Sequence, residues 1–222
     1  MSAIIWNVRG VASVDTYRRL KKLIQLHQIY LLVILEPLVL QYNFAYIRRN
    51  LHFYMGIQNE SNKIWFFESR GLMLLIVDHP QFLHVRVEDP ILACPIYLTP
   101  VYTSCDAAIR RDLWVGLHHI SLDMNDPWLV GRDFNIITHD GKCTSHDTRD
   151  RGTIAFSDMM LDYGYEDAGF FGNRYTWSNG RWSPDDDFGL RPFRILSVWI
   201  KHHDFLVFVS YKWSLPTHLT RM

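Results

Sequence analysis

The 222-residue chain is poor in cysteine: Cys94, Cys105 and Cys143 are scattered, with no Cys-x-x-Cys pair. So sparse and odd a set argues against a disulfide frame or a zinc site, and fits reduced thiols in an intracellular protein with no disulfide-linked partner, in nucleus or cytoplasm. Charge of either sign is not in excess, since Lys+Arg and Asp+Glu both total 23. That argues against holding a polyanion by bulk cationic attraction, which depends on neutralising many phosphates. A local site stays open, because a bound divalent ion brings positive charge that no residue count reveals. No long hydrophobic run is present either. The most apolar stretch, Ile29 to Leu35, is stopped by Glu36 and Pro37, far short of the roughly 20 residues that span a bilayer. The opening MSAIIWNVRG has no basic segment ahead of an apolar one, so neither a secretory signal nor a membrane partner is expected. Gly- or Pro-rich linkers, repeats and low-complexity tracts are missing as well. One domain over residues 1–222, acting as a monomer, is the expectation.

What the chain has is apolar and aromatic mass, 48% and 14% of its residues, enough to bury a substantial core. Ala3 to Val8 reads as a short strand, followed by a helix capped by Asp15 with Leu20, Leu23, Ile24 and His27 on one face. Tyr30 to Leu35 is continuously apolar, as a strand covered on both faces would be. The opening is therefore β-α-β. A second helix is expected over Leu38 to Leu51, then antiparallel strands over Gly71 to Val77, Phe82 to Val87 and Leu92 to Val101. Ser104 or Asp106 caps a further helix carrying Ile109, Leu113, Leu117 and Ile120, and Trp128 to Arg132 begins another strand. Beyond a polar loop over Asp140 to Gly152, Thr153 to Tyr163 patterns as a helix. Helices mixed among parallel and antiparallel strands predict a layered α/β domain with more than one sheet.

Asn7, Glu36, Tyr102 and the pair Asp133 and Asn135 stand at or just beyond the ends of apolar strands. Strand carboxyl ends converge on one rim of an α/β sheet, and ligands bind there. Singly, each has an ordinary reading: a turn-forming Asn, a solvated Glu before Pro, a half-buried Tyr. Together they form a set of hard oxygen donors suited to Mg²⁺, which takes one or two protein carboxylates plus waters and phosphate oxygens. The chemistry such a set points to is metal-assisted hydrolysis of a phosphate ester.

The ordered motifs WNVRG, ILEP, VY before a helix with RRDLW, then RDFN and AGFFGNRYTWSNGR resemble the endonuclease/exonuclease/phosphatase (DNase I-like) superfamily. The likeness runs from Trp6 to about Trp199, and the segment Gly164 to Arg181 is similar in particular to the endonuclease domain of plant LINE-type (non-LTR) retrotransposons. The resemblance implies an α/β fold, a four-layer α/β/β/α sandwich of two mixed, largely antiparallel sheets flanked by helices. It implies a Mg²⁺-dependent endonuclease, with Mn²⁺ as substitute, acting on the phosphate backbone of DNA. Glu36 would be the main metal ligand with Asn7 beside it. Asp133 would position or activate the water, Asn135 would hold the phosphate and Tyr102 would hydrogen-bond a phosphate oxygen. Arg174 and Asn179 would lie on a loop that touches DNA, with Tyr175 and Trp177 read alternatively as core.

Departures from the family pattern fall late in the chain. The Arg-Leu-Asp-Arg run is matched by Arg191, Pro192, Phe193 and Arg194, so Phe193 occupies the carboxylate position. The Ser-Asp-His signature should follow the strand-like Phe205 to Trp213; either His218 matches its histidine, with Thr217 replacing the aspartate, or the signature lies beyond Met222. The chain then ends where a last strand is expected, which reads as a truncated, degenerate copy of the domain. Loss of an orienting Asp from a catalytic unit lowers rates by orders of magnitude. Three readings follow: an impaired endonuclease, a catalytically silent retroelement-derived domain or binding module, and a phosphomonoesterase, which the TWSNG segment disfavours.

Overall fold

The computed structural model describes residues 2–71, 73–90, 94–104, 106–133, 166–167 and 198–200. Its architecture follows from the alternation of side chains along a few short apolar strands. Strand β2 (Leu31–Leu35) is buried on both faces. Its even residues, Leu32 and Ile34, pack in one cluster with Leu20, Ile47, Trp65 and Phe67. Its odd residues, Leu31, Val33 and Leu35, pack in another with Leu83, Val85 and Leu98. A strand of period two thereby serves two layers at once.

Strand β1 (Ala3–Asn7) pairs parallel to β2 after the crossover helix α1 (Val14–His27), as the β-α-β reading expected. Helix α2 (Asn43–Asn50) also covers this first sheet, whose order is β1-β2-β4-β3, with β3 over Met55–Gln58 and β4 over Ile64–Glu68. The second sheet runs β5-β6-β7-β8-β10-β9. Its β5 (Met73–His79), β6 (Phe82–Val87) and β7 (Ile96–Tyr102) are antiparallel neighbours. Helix α3 (Ala107–Asp123) then carries the chain to β8 (Trp128–Asp133), parallel to β7. The short β9 (Glu166–Asp167) and β10 (Val198–Ile200) complete the edge. On the outer face of this sheet, Phe82, Val101, Trp128 and Val130 pack with Leu113 and Leu117 of α3. Three apolar layers separate four structural ones, the α/β/β/α sandwich of two mixed sheets that the sequence led us to expect.

Several local expectations need correction. Helix α1 is entered through Ser13, and Asp15 lies in its first turn rather than capping it. His27 is exposed instead of facing inward. The helix expected from Leu38 begins only at Asn43. Glu36 and Leu38 both have φ of +50°, left-handed values that stop a right-handed helix from propagating. The Val39 carbonyl is meanwhile engaged by Asn62 Nδ2 at 2.9 Å. Strands β3 and β4 were not expected at all, although Ile64–Glu68 is buried throughout. Strand β7 starts at Ile96 rather than Leu92. Asp106 caps α3, its Oδ1 accepting from the Ala108 N–H at 2.7 Å, and Ile109 is exposed rather than inward. The loop over 140–152, the helix over 153–163 and the strand over 205–213 lie outside the described residues.

Candidate active site

Two parallel pairings bring the candidate residues to one rim. In the first sheet Asn7 is opposite Leu35, so Asn7 and Glu36 leave the sheet at the same end. In the second, Tyr102 is opposite Asp133. The two ends meet because the Tyr102 hydroxyl donates to Glu36 Oε1 at 2.5 Å.

The backbone around Glu36 is fixed from two directions. Its N–H donates to the Lys63 carbonyl at 2.9 Å, and its own carbonyl accepts from Gly10 N–H at 2.9 Å. Val8 N–H to Leu35 O (3.0 Å) and Val11 N–H to Pro37 O (2.9 Å) extend the zipper between the two strand-end loops. This cross-bonding holds Glu36 in a left-handed conformation that costs a non-glycine residue about 1–2 kcal/mol. Arg9, at φ +46°, and Gly10, at +108°, form the matching bend on the other loop. Gly10 is suited to its place, because a β-carbon is penalised at that φ.

Asn7 is buried, and its Oδ1 accepts from the Arg9 N–H at 3.2 Å. The Glu36 side chain is 19% exposed and its Oε2 lies 3.8 Å from Arg9 Nε, whose side chain is half exposed. Such a loose, partly solvated pair is worth no more than about 1 kcal/mol. Lys63 brings a second cation, its Nζ 6.0 Å from the centre of the Tyr102 ring. One carboxylate and one buried amide thus sit between two cations at the mouth of the sandwich.

The donor set fits a divalent ion of the Mg²⁺ type. Among the described residues no three His, Cys, Asp or Glu side chains gather into a cluster. A carboxylate and an amide oxygen nonetheless match the few-ligand, water-rich coordination of Mg²⁺. The structure thus brings together Asn7, Glu36 and Tyr102 and places the backbone of Asp133 beside Tyr102, while Asn135, Arg174, Asn179 and His218 lie outside the described residues, as do Phe193 and Thr217. Sequence reasoning missed Arg9 and Lys63. The bend-forming Arg-Gly after Asn7 is a signal for the first; the second becomes visible only once β3 and β4 are known to form a hairpin.

No family model matches the chain, and no curated protein matches it. Solved structures do. The endonuclease domain of TRAS1, a telomere-specific non-LTR retrotransposon, is 14% identical over 92% of this chain and 86% of that one, with a TM-score of 0.63. The 3′ phosphatase NExo from Neisseria is 15% identical over 90% and 86%, with a TM-score of 0.64. An AP endonuclease from Archaeoglobus fulgidus is 12% identical over the same shares, also at 0.64. At these identities the likeness is one of fold: the chain has the DNase I-like α/β sandwich of endonuclease/exonuclease/phosphatase proteins. No helix among the described residues is long and apolar enough to cross a membrane.

Proposed function

We propose that the chain is a Mg²⁺-dependent phosphodiesterase that nicks DNA, with Mn²⁺ able to substitute. The carrying observation is the Tyr102–Glu36 hydrogen bond, which joins the carboxyl ends of strands from two sheets at one rim. Glu36 and Asn7 would hold the ion, which when bound neutralises charge developing on the phosphoryl oxygens. Tyr102 fixes the rotamer of Glu36 by occupying Oε1, and Arg9 offers its half-exposed guanidinium to a phosphate oxygen. Asp133 would orient or deprotonate the attacking water, with Asn135 on the phosphate and His218 completing the acid–base set. Arg174 and Asn179 would touch the DNA backbone. The nuclease and phosphatase relatives in fold, and the motif order seen in the sequence, support this reading; the TWSNG segment supports descent from a plant LINE-type element.

Incubating supercoiled plasmid with the purified protein and Mg²⁺ tests it. Relaxed circles should form with the wild type and not with Glu36→Ala. A folded wild type that leaves the plasmid intact with both Mg²⁺ and Mn²⁺ overturns the activity. Phe193 and Thr217, standing where carboxylates are expected, favour a second reading, a silent domain that keeps the fold. Folded protein that neither nicks plasmid nor binds Mg²⁺ in titration calorimetry supports that alternative.

A further inference from the structure

Gln81 is buried, and every polar group it has is engaged. It stands just before β6 and opposite Tyr102, continuing by one residue the register in which Phe82 faces Val101. Its carbonyl accepts from the Tyr102 N–H at 2.9 Å. Its side-chain Oε1 accepts from the Ser104 N–H at 2.9 Å, and its Nε2 donates to the Ile109 carbonyl in the first turn of α3 at 2.8 Å. An N–H only donates and a carbonyl only accepts, so these partners leave the amide one orientation. One buried residue thus clamps the chain on both sides of Thr103, and with it the residue whose hydroxyl donates to Glu36 Oε1.

The remaining group of Gln81, its N–H, donates to His79 Nδ1 at 3.1 Å. That contact specifies the state of the ring. Nδ1 must carry its lone pair, so the proton of the neutral imidazole belongs on Nε2. In the imidazolium both nitrogens are donors, and the contact becomes N–H against N–H. The ring has little room in which to turn away. It stacks on Phe82 with centres 4.4 Å apart, and a β-carbon at Gly116 of α3 would stand 2.8 Å from Phe82 Cε1 and 4.0 Å from His79 Cδ2. The His79 carbonyl is held by Asn59 Nδ2 at 3.1 Å. Among the described residues, the charged groups acting on the ring are carboxylates: Glu60 in the β3–β4 turn, Asp112 on α3 and Asp78 on its own strand. Burial outweighs their attraction and holds the imidazole below its ordinary 6.5, so the accepting form is the one present at neutral pH.

We infer that Gln81 is the positioning residue of Tyr102 and that the neutral His79 ring holds Gln81 in place: a proton on Nδ1 removes the acceptor of the Gln81 N–H, displaces the Gln81 carbonyl and slackens the hold of Tyr102 on Glu36. For its effect on activity the inference rests on the phosphodiesterase reading, which it deepens. The site then weakens on acidification through the β5–β6 turn, whose residues are not among the candidate ligands.

Substitutions separate the roles in plasmid nicking. Gln81→Ala keeps the backbone bond to Tyr102 and loses both side-chain bonds; it should lower kcat about three- to tenfold with KM little changed. Added to Tyr102→Phe it should cost almost nothing more, because two residues that act through one contact are not additive. His79→Phe keeps a ring on Phe82 without an acceptor and should lose a similar factor at every pH. His79→Asn, whose Oδ1 accepts but does not titrate, should recover that factor and should lose less activity than the wild type between pH 7.5 and 5. Losses from Gln81→Ala and Tyr102→Phe that multiply, or an acid limb that is the same in His79→Asn and the wild type, overturn the inference while leaving the nuclease standing.

NMR of the isotope-labelled chain covers the case in which nothing is cleaved. At pH 7.5 the His79 Nδ1 should give the resonance of an unprotonated nitrogen and Nε2 that of a protonated one. On acidification the amide resonances of Gln81 and Tyr102 should move with the His79 midpoint in the wild type and hold still over that range in His79→Asn. A proton on Nδ1 at pH 7.5, or a Tyr102 amide indifferent to the His79 titration, overturns the inference whether or not DNA is nicked. The expected pattern in a protein without activity supports the hold on Tyr102 and counts against the phosphodiesterase reading alone.

Discussion

The hydroxyl of Tyr102 donates to Glu36 Oε1 across 2.5 Å, and with that contact a residue ending β7 of one sheet orients a carboxylate just beyond β2 of the other. The two sheets share an apolar interior but, among the described residues, have no backbone ladder between them. A polar contact at the rim therefore sets their relative position where chemistry would occur. Hydrogen bonds to charged groups contribute about 1.5–3 kcal/mol. Tyr102→Phe should accordingly lower kcat/KM for plasmid nicking by about 10- to 100-fold. Its ring, packed against the interior between the sheets, is retained, so the stability loss is confined to that hydrogen bond and the unfolding midpoint should fall by about 3–12 °C. A variant that nicks like the wild type would show that Tyr102 does not act through Glu36.

Gly56 of β3 gives a second prediction. A β-carbon there would stand 2.6 Å from Phe67 Cδ1, 2.9 Å from Phe44 Cζ and 3.1 Å from the Phe66 carbonyl oxygen. The Phe44 and Phe67 rings are themselves packed with centres 5.0 Å apart, and the carbonyl belongs to the β4 ladder. Neither side has room to give. Gly56→Ala should cost about 1–3 kcal/mol in urea unfolding, the usual range for overpacking a filled core. A neutral effect would mean that α2, which carries Phe44, lifts off the sheet freely.

These residues also show what could be read from the sequence. The continuously apolar run Leu31–Leu35 and the Leu113–Leu117 repeat declared their layers, because a strand covered on both faces has no polar position and burial of one helix face imposes a spacing. Asn7, Glu36 and Tyr102 were legible because polar groups at the ends of apolar runs mark a rim. The β3–β4 hairpin was not: its turn residues Asn59 to Lys63 are polar, and its strands are too short for alternation to stand out. The late start of α2 was hidden for another reason. Leu38 to Tyr42 has helical composition, yet the backbone turns left-handed at Glu36 and Leu38 under tertiary hydrogen bonds that no local pattern encodes.

His84 gives a pH dependence. It is buried in β6, its Nδ1 2.8 Å from Thr99 Oγ1, which also accepts from Trp128 Nε1 at 2.7 Å. Burial lowers the imidazole from 6.5 to about 4. The unfolded chain therefore takes up this proton first as pH falls. The contribution to stability is whole above pH 6.5 and is lost between 6.5 and 4, about 2 kcal/mol of it by pH 5. His79, lowered chiefly by burial, adds a slope of the same sign. Urea unfolding at pH 7.5 and 5 should show His84→Gln losing less stability than the wild type on acidification. Equal losses would remove His84 as a source.

Asn59 ties stability to the site in a way that can be separated experimentally. Its Oδ1 accepts from the N–H groups of Lys63 and Ile64, both at 2.9 Å, and its Nδ2 donates to the carbonyls of His79 (3.1 Å) and Pro80 (2.8 Å). One amide thus fastens the β3–β4 hairpin to the β5–β6 turn of the other sheet. The same hairpin presents the Lys63 carbonyl to which Glu36 N–H donates. Asn59→Ala strands several buried partners and should cost roughly 2–4 kcal/mol. Leu113→Ala, which opens a cavity under α3, should cost a similar amount, about 2–5 kcal/mol, without touching the hairpin. The two should part in a Mg²⁺ titration of plasmid nicking, since only Asn59→Ala loosens the backbone that orients Glu36. Its half-saturating Mg²⁺ should rise several-fold, while that of Leu113→Ala stays with the wild type, both read well below their unfolding midpoints. Parallel shifts in the two variants would mean that the Mg²⁺ response follows global stability and that the hairpin does not position Glu36.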